Sequence, residues 1–285
     1  MESRCQCCDG LLESVLSTPE IVLLRCRSCG TWAARHLTDA APADVWRGET
    51  VTPEYLEALL ERRQRQAHAI VAQLLPFRGR GRFLDYGCGH GLFLRTLLGA
   101  GFDAYGCDLS PSVVDSFGPE LRPRVSLAAG PWALPGERFE TLCMLDVLEH
   151  CDAPRAFVSG LREAGVGLLI VKVPVASGPL FRLAEALARV DRTGSLKHLF
   201  LVGESAPNLS YFSAPGLMRL FERCGYRTLR RFRLAEVGPE LAVRLRSAAG
   251  RSNPVGDAML GAAGGILERM APAWSDTAVF IGQAR

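Results

Sequence analysis

The stretch Phe83-Leu84-Asp85-Tyr86-Gly87-Cys88-Gly89-His90-Gly91 decides the fold of this 285-residue chain. Phe83 and Leu84 open a short β-strand, and the residues from Leu92 to Leu98 continue as a helix. Glycines in the turn between them let the backbone pass close beneath a ligand without interference from a Cβ atom. The helix that begins near Gly91 points its free N–H groups into the same crevice. The stretch therefore predicts a ligand site where a strand turns into a helix.

A carboxylate at the end of the next strand supplies a partner for this loop. The strand from Ala104 ends at Asp108, from where a carboxylate can accept hydrogen bonds from both hydroxyls of a ribose. Asp85 would repel a pyrophosphate, but it suits a ligand with a positive amino or sulfonium group. Leu92 also stands where the third glycine of a dinucleotide fingerprint belongs. Both observations disfavour a dinucleotide, and a plain tight turn is the remaining alternative.

The segment from Phe83 to Val173 resembles the class I S-adenosylmethionine-dependent methyltransferases, and His198 to Tyr226 resembles them more loosely. The glycine stretch resembles the first motif of that family. Gly106-Cys107-Asp108-Leu109-Ser110 resembles the second motif, and Met144-Leu145-Asp146-Val147-Leu148-Glu149-His150 resembles the fourth-strand motif of the small-molecule branch. The resemblance implies that S-adenosylmethionine is the cofactor.

The resemblance also assigns residues to the donor site. The glycine loop would hold the methionine part of the donor, the second-strand acid its ribose, and Asp85 would lie near its amino group. The family often has an acid after the third strand to bind the adenine, but this chain has none there, so stacking on Trp132 or backbone groups would replace it. The cofactor-binding residues expected on this basis are Asp85, Gly87, Gly89, Asp108, Leu109, Trp132, Leu145 and Tyr55. For Tyr55, on the helix before the sheet, a place in the core is the alternative.

Four residues are candidates for the acceptor side. Methyl transfer usually needs a base that removes a proton from the nucleophile. His150, just past the fourth strand, is a candidate base, and a residue that only orients a loop is the alternative. His198 is the second candidate, and the resemblance places it and Tyr211 beside the acceptor. Glu204 could also contact the substrate, although a solvated loop acid is the other interpretation.

β-rich runs that alternate with helical stretches predict a parallel sheet with helices on both faces. We expect an α/β, Rossmann-like methyltransferase sheet of seven strands, with the last strand reversed. The sheet domain would cover residues 81–285, after a helical arm at residues 41–80. The pattern breaks at about residues 175–212, which would form a lid, and at a helical insertion over about residues 240–270.

The first 40 residues contain two cysteine pairs, Cys5-x2-Cys8 and Cys26-x2-Cys29, separated by seventeen residues. This spacing is typical of a zinc ribbon, in which each pair supplies two thiolates of a tetrahedron. Four thiolates close the coordination sphere, so the predicted Zn²⁺ is structural rather than catalytic. Cys7 is a spare cysteine that could substitute for a ligand.

Composition limits the remaining choices. The formal net charge of +3 argues against a protein that binds mainly by neutralising phosphates. The N-terminus lacks the apolar stretch of a secretory signal, and no apolar run approaches the ~18 residues that cross a bilayer. We therefore expect a cytoplasmic protein with reduced thiols and no membrane partner.

Three functions follow from these patterns. The first is methyl transfer to an O or C atom of a small metabolite, such as a sugar or a natural-product intermediate. The second is an RNA or protein methyltransferase that uses the ribbon for substrate recognition. The third is a donor-binding protein without catalysis. The first requires a small-molecule acceptor and makes nucleic acid an unexpected partner.

Overall fold

The structure, a computed structural model, describes residues 4–38, 53–129, 138–204, 206–235 and 275–285, with the single positions 133, 136 and 266. The strands are β1 Leu12–Ser17, β2 Ile21–Cys26, β3 Trp32–His36, β4 Phe83–Tyr86, β5 Ala104–Asp108, β6 Val125–Leu127, β7 Thr141–Leu145, β8 Leu168–Pro174, β9 Ser210–Tyr211, β10 Tyr226–Leu234 and β11 Thr277–Ala284. The helices are α1 Pro53–Leu74, α2 Leu92–Gly99, α3 Pro111–Asp115, α4 Pro154–Glu163, α5 Pro179–Ala188, α6 Gly194–Leu199 and α7 Ala214–Arg223. Short 3₁₀ turns cover Leu75–Phe77, Arg122–Arg124 and Leu148–His150.

Within the described residues, seven strands form the main sheet in the order β10-β11-β8-β7-β4-β5-β6. The pairs from β8 to β6 are parallel, whereas β11 runs antiparallel to both β8 and β10. This confirms the predicted Rossmann-like methyltransferase sheet with its last strand reversed. Because β4 lies between β5 and β7, the glycine loop that follows β4 has the carboxyl ends of both neighbours beside it, which is where open α/β sheets bind ligands.

Two apolar clusters cover the faces of this sheet. One includes Leu84, Met144, Val171 and Phe221, and the other includes Phe83, Leu94 and Cys143. Alternate residues of the buried strands point to opposite faces, so Phe83 and Leu84 enter different clusters. The near-continuous apolar composition of β8 reflects a strand that is covered on both sides.

A second sheet in the described part of the chain has the order β1-β2-β3-β9. Its first three strands belong to the cysteine-containing N-terminal segment, here called the ribbon (residues 4–38). The fourth comes from the lid: Ser210 pairs with Ala33, and Tyr211 pairs with Trp32. The lid therefore completes the ribbon's sheet, a pairing that the sequence analysis did not predict.

A third apolar cluster lies between the ribbon and the lid. Ile21, Leu23 and Trp32 of the ribbon pack against Phe181 and Phe200 of the lid helices and the loop after them, and all five are almost fully buried. The Trp32 and Phe181 rings meet edge to face with centroids 5.3 Å apart. The ribbon is therefore packed directly against the lid of the main sheet.

The helix α1 lies within the predicted helical arm, and the predicted lid contains two helices, α5 and α6. Ser213 caps α7 by accepting a hydrogen bond from the Gly216 N–H. The start of the predicted arm, residues 41–52, and the insertion at about residues 240–270, apart from Ile266, lie outside the described residues.

None of the described helices combines the length and the apolar content that crossing a membrane would require.

Candidate active site

The glycine loop has the backbone conformation that its sequence demands. Gly87, Gly89 and Gly91 have φ values of 72°, 50° and 76°, in the region that favours glycine. A Cβ atom on Gly87 would lie 2.8 Å from Cγ2 of Val147, whereas a Cβ atom on Gly89 would meet no described atom within 4 Å. Gly87 therefore serves close packing within the protein, and Gly89 borders open space in which a ligand could lie.

Asp108 closes this loop from the neighbouring strand. Its Oδ2 accepts a hydrogen bond from the Gly89 N–H at 2.9 Å, and its Oδ1 accepts one from the Ser110 N–H at 3.0 Å. Each carboxylate oxygen has a second lone pair, so both can still accept a ribose hydroxyl. The next residue, Leu109, is 49% exposed, as a side chain that contacts an adenine from the protein surface would be.

Asp85 lies beneath the loop and is only 2% exposed. Its Oδ2 has no hydrogen-bond partner in the described part of the chain. Burial, and then the negative charge of Asp108, raise the pKa of the Asp85 carboxyl to about 7. An unpaired buried carboxylate is costly unless a positive group compensates it, so this site fits the amino group of a bound S-adenosylmethionine.

His150 ends the 3₁₀ turn after β7, close to the glycine loop because Val147 of the same stretch packs on Gly87. Its Nδ1 lies 2.9 Å from the carbonyl oxygen of Pro207. A carbonyl oxygen can only accept, so Nδ1 carries a proton and Nε2 of the neutral ring keeps its lone pair. This arrangement leaves one ring nitrogen able to act as a base.

Two buried ionisable residues, Glu149 beside His150 and Lys172 of β8, were not among the predicted site residues. Glu149 is 3% exposed, and its Oε2 has no hydrogen-bond partner among the described residues. Burial, and then the charge of Asp146, raise the pKa of the Glu149 carboxyl well above its ordinary value. The buried Lys172 of β8 pairs with Asp146, with Nζ 2.5 Å from Oδ2. A lysine inside an apolar strand was the sequence signal for this pair.

His198 and Glu204 of the lid line one cavity of about 500 Å³. Glu20 and Thr38 of the ribbon lie on its other side, and Lys197 joins the two sides through hydrogen bonds of 3.0 Å to both oxygens of Glu20. The structure thus brings two predicted acceptor-side residues together. It adds two ribbon residues that the sequence analysis did not single out.

Tyr211 occupies a different place. It is 4% exposed, and its ring packs on Phe181 and Phe200 with centroid distances of 4.5 and 5.4 Å. Its position in β9 joins the lid to the ribbon. Its predicted contact with the acceptor remains a prediction.

The other predicted donor residues are less fully described. Leu145 ends β7 and is partly buried beside the loop. Trp132 lies outside the described residues, and so does the side chain of Tyr55, whose backbone belongs to α1. Their roles remain predictions.

The ribbon's cysteines form a compact sulfur cluster. Among the described residues, the Sγ atoms of Cys5, Cys8, Cys26 and Cys29 all lie within 4.8 Å of one another. Cys5 and Cys29 are 3.6 Å apart, and Cys8 and Cys26 are 3.4 Å apart. A tetrahedron with Zn–S bonds of about 2.3 Å has sulfurs about 3.8 Å apart. The four thiols therefore fit a tetrahedral metal ion, and Cys7 is not part of the set.

Comparisons with known proteins identify the family of the chain. A family model described as a methyltransferase domain matches residues 59–230. Ubiquinone biosynthesis O-methyltransferase from Cereibacter sphaeroides is 33% identical over 96 residues, which cover 31% of this chain and 38% of the relative. The matched region thus covers only slightly more than a third of the length of this curated relative.

Two solved structures share the fold. Magnesium protoporphyrin IX methyltransferase from Synechocystis PCC 6803, with bound S-adenosylhomocysteine, has a TM-score of 0.53 at 16% identity, covering 85% of this chain and 94% of that one. A complex of the Haloferax volcanii Trm112 methyltransferase activator with a methyltransferase has a TM-score of 0.50 at 14% identity, covering 80% and 94%. Since the family model covers more than half of the chain, the protein belongs to the methyltransferase-domain family, and it shares its fold with a methyltransferase that binds S-adenosylhomocysteine.

Proposed function

We propose that the protein transfers a methyl group to an O or C atom of a small polar metabolite, such as a sugar or a natural-product intermediate. The observation that carries this proposal is the cavity of about 500 Å³ between the ribbon and the lid, lined by His198 and Glu204. Its size lies in the range of small-molecule sites, which is roughly 300–1,000 Å³. Pro207, three residues after Glu204 in the chain, accepts the hydrogen bond from His150, which supports a place for the candidate base near this cavity.

The chain's residues divide into a donor side and an acceptor side. When bound, S-adenosylmethionine supplies an electrophilic methyl group on its sulfonium. Asp85 would hold the amino group, Gly87 and Gly89 would let the backbone approach the methionine part, and Asp108 would hold the ribose. His150 or His198 would take the proton from the acceptor as the new bond forms. The O-methyltransferase activity named for the curated relative supports oxygen as the acceptor atom.

The packing of the ribbon disfavours the alternative in which the protein methylates RNA or another protein. The backbone carbonyls of Gln6 and Ser28 accept hydrogen bonds from Arg155 and Arg219 of α4 and α7, at 2.7 and 3.0 Å. The Cys29 carbonyl accepts one from Ser213. The two cysteine turns therefore contact helices α4 and α7, which supports a packing role for the ribbon rather than the recognition of an RNA or a protein.

We further propose that Cys5, Cys8, Cys26 and Cys29 hold a structural Zn²⁺. The support is the four-sulfur cluster, whose spacing suits thiolate ligands of a tetrahedral ion. With all four positions taken by protein, such an ion would stabilise the ribbon and would leave no position for substrate.

The acceptor class can be tested with S-adenosylmethionine that carries a tritiated methyl group. The protein is incubated with this donor and an extract that is then separated into small molecules, RNA and protein. We expect protein-dependent label in the small-molecule fraction, and its loss in the double variant His150→Gln, His198→Gln. Label that enters only the RNA or protein fraction would replace this proposal with the macromolecular alternative.

A further inference from the structure

The third strand of the ribbon, with Thr31 just before it, contacts a segment at the end of the lid, residues 207–213. Beyond the β3–β9 pairing, the Ala34 N–H donates to the Leu209 carbonyl at 2.8 Å. The Nε2 atom of His36 lies 3.2 Å from the carbonyl oxygen of Asn208. Since that oxygen can only accept, Nε2 of His36 carries the proton of this hydrogen bond.

The opposite side of the same segment faces the candidate base. The Pro207 carbonyl takes the hydrogen bond from Nδ1 of His150, and the Leu209 N–H donates to the Glu149 carbonyl at 2.8 Å. Consecutive lid residues therefore connect to the ribbon on one side and to the turn after β7 on the other. A displacement of this segment would move the acceptor of the His150 hydrogen bond.

Buried contacts fix the far end of the segment. Thr31 and Ser213 are 4% and 7% exposed, and their hydroxyl oxygens lie 3.3 Å apart. Ser213 also donates to the Cys29 carbonyl, beside the sulfur cluster. The segment is therefore attached to the ribbon at Asn208, at β9 and at Ser213, which leaves it little freedom of its own.

We propose that His36 of the ribbon is a positioning residue for the active site: through the backbone of Asn208 and Pro207 it fixes the ring orientation and the tautomer of His150. The inference rests on the proposed function only for what His150 does in the reaction. The ribbon is then part of the catalytic apparatus, because it holds the acceptor of the His150 hydrogen bond. With that acceptor fixed, the lone pair of His150 stays on Nε2, the ring nitrogen that is left to act as a base.

The tautomers can be read directly in the full-length, metal-loaded protein labelled with ¹⁵N-histidine. The chain has five histidines, so single His→Gln variants assign the signals of His36 and His150. Spectra are recorded at about pH 8.5, roughly two units above the pKa of an ordinary imidazole. We expect opposite tautomers in the wild type, with the proton of His36 on Nε2 and that of His150 on Nδ1. A His150 proton on Nε2 would overturn the proposal without any variant.

Two variants of His36 then test the connection. His36→Phe keeps a ring but removes the donor, and we expect the His150 nitrogen shifts to move to the average of exchanging tautomers. His36→Gln keeps an N–H donor and should restore most of the wild-type shifts. Metal content and thermal denaturation establish that each variant is folded.

Arg219→Ala is the matched control, since it removes a ribbon hydrogen bond, to Ser28, that is not part of this route. Unchanged His150 shifts in folded His36→Phe, or an equal change in Arg219→Ala, would overturn the proposal. The experiment needs neither donor nor acceptor, so its failure and the failure of the proposed methyl transfer are distinguishable.

Discussion

Asp85 is the residue whose ionisation should control donor binding. Its carboxyl has a pKa of about 7 and must lose its proton to pair with a positive amino group. We therefore expect the affinity for S-adenosylmethionine to fall about tenfold per pH unit below 7, because the Asp85 carboxyl must release its proton when the donor binds. Calorimetry between pH 6 and 8 measures this dependence. In Asp85→Asn the affinity should be low and nearly independent of pH; a wild-type profile in that variant would contradict the assignment.

The same carboxyl should make the ligand-free protein less stable as pH rises. Its folded-state pKa lies above the ordinary value of 3.8, so between 3.8 and about 7 the folded state binds a proton that the unfolded state releases. Stability from this group is present at low pH and is lost as the pH rises through about 7. The gain in Tm of Asp85→Asn over the wild type should accordingly be larger at pH 8 than at pH 5. An equal gain at both values would show that Asp85 is not the titrating group.

Gly87 and Gly89 should respond differently to alanine. Both have positive φ, which costs an alanine about 1–2 kcal/mol. Gly87→Ala would also press on Val147, which adds about 1–3 kcal/mol of overpacking. Gly89→Ala avoids this clash, but its methyl group would enter the open space beside Asp108. We expect denaturant titration to show the larger loss of stability in Gly87→Ala. Folded Gly89→Ala should instead lose affinity for the donor in calorimetry. If Gly89→Ala bound the donor normally, the donor would not lie beside Gly89.

The folded structure of the ribbon should depend on one metal ion. Cys26→Ser removes a member of the four-sulfur cluster, so the protein should lose its zinc, and its Tm should fall by roughly 5–10 °C as the ribbon sheet loosens. Elemental analysis and thermal denaturation measure both. Cys7→Ala is the matched control, because Cys7 is buried nearby but lies outside the cluster. Equal zinc content in Cys26→Ser and the wild type would refute the metal site.

The elements also show what a sequence can predict. The strands β4 and β5 and the loop after β4 follow from local patterns: apolar runs, glycines and a terminal acid at fixed spacing. The strand β9 does not, because a two-residue strand has no pattern of its own and exists only by pairing with Trp32 and Ala33 of the ribbon. The role inferred for His36 could not be predicted from the sequence for the same reason, since its partner Asn208 is 172 residues away in the chain.

For the whole molecule, single candidate residues could be predicted on both sides, but the shape of the acceptor side could not. The expected donor contacts lie within short motifs, whereas the cavity of His198 and Glu204 is formed by two segments that meet only in the fold. Lys172 illustrates the difference: the sequence shows a lysine in an apolar strand, but only the structure shows that it pairs with Asp146. The proposed acceptor cavity is therefore a product of tertiary packing rather than of a sequence motif.

Donor binding should depend most on Asp108, which closes the glycine loop and would hold the donor's ribose. Calorimetry with S-adenosylmethionine on the wild type, Asp108→Ala and the control Asp103→Ala tests it, because Asp103 is an exposed acid at the other end of β5 that pairs with Arg124. Hydrogen bonds to a charged group contribute about 1.5–3 kcal/mol, so we predict a loss of affinity of about 10- to 100-fold in Asp108→Ala and almost none in Asp103→Ala. Unchanged donor affinity in folded Asp108→Ala, or no binding by the wild type, would contradict the account.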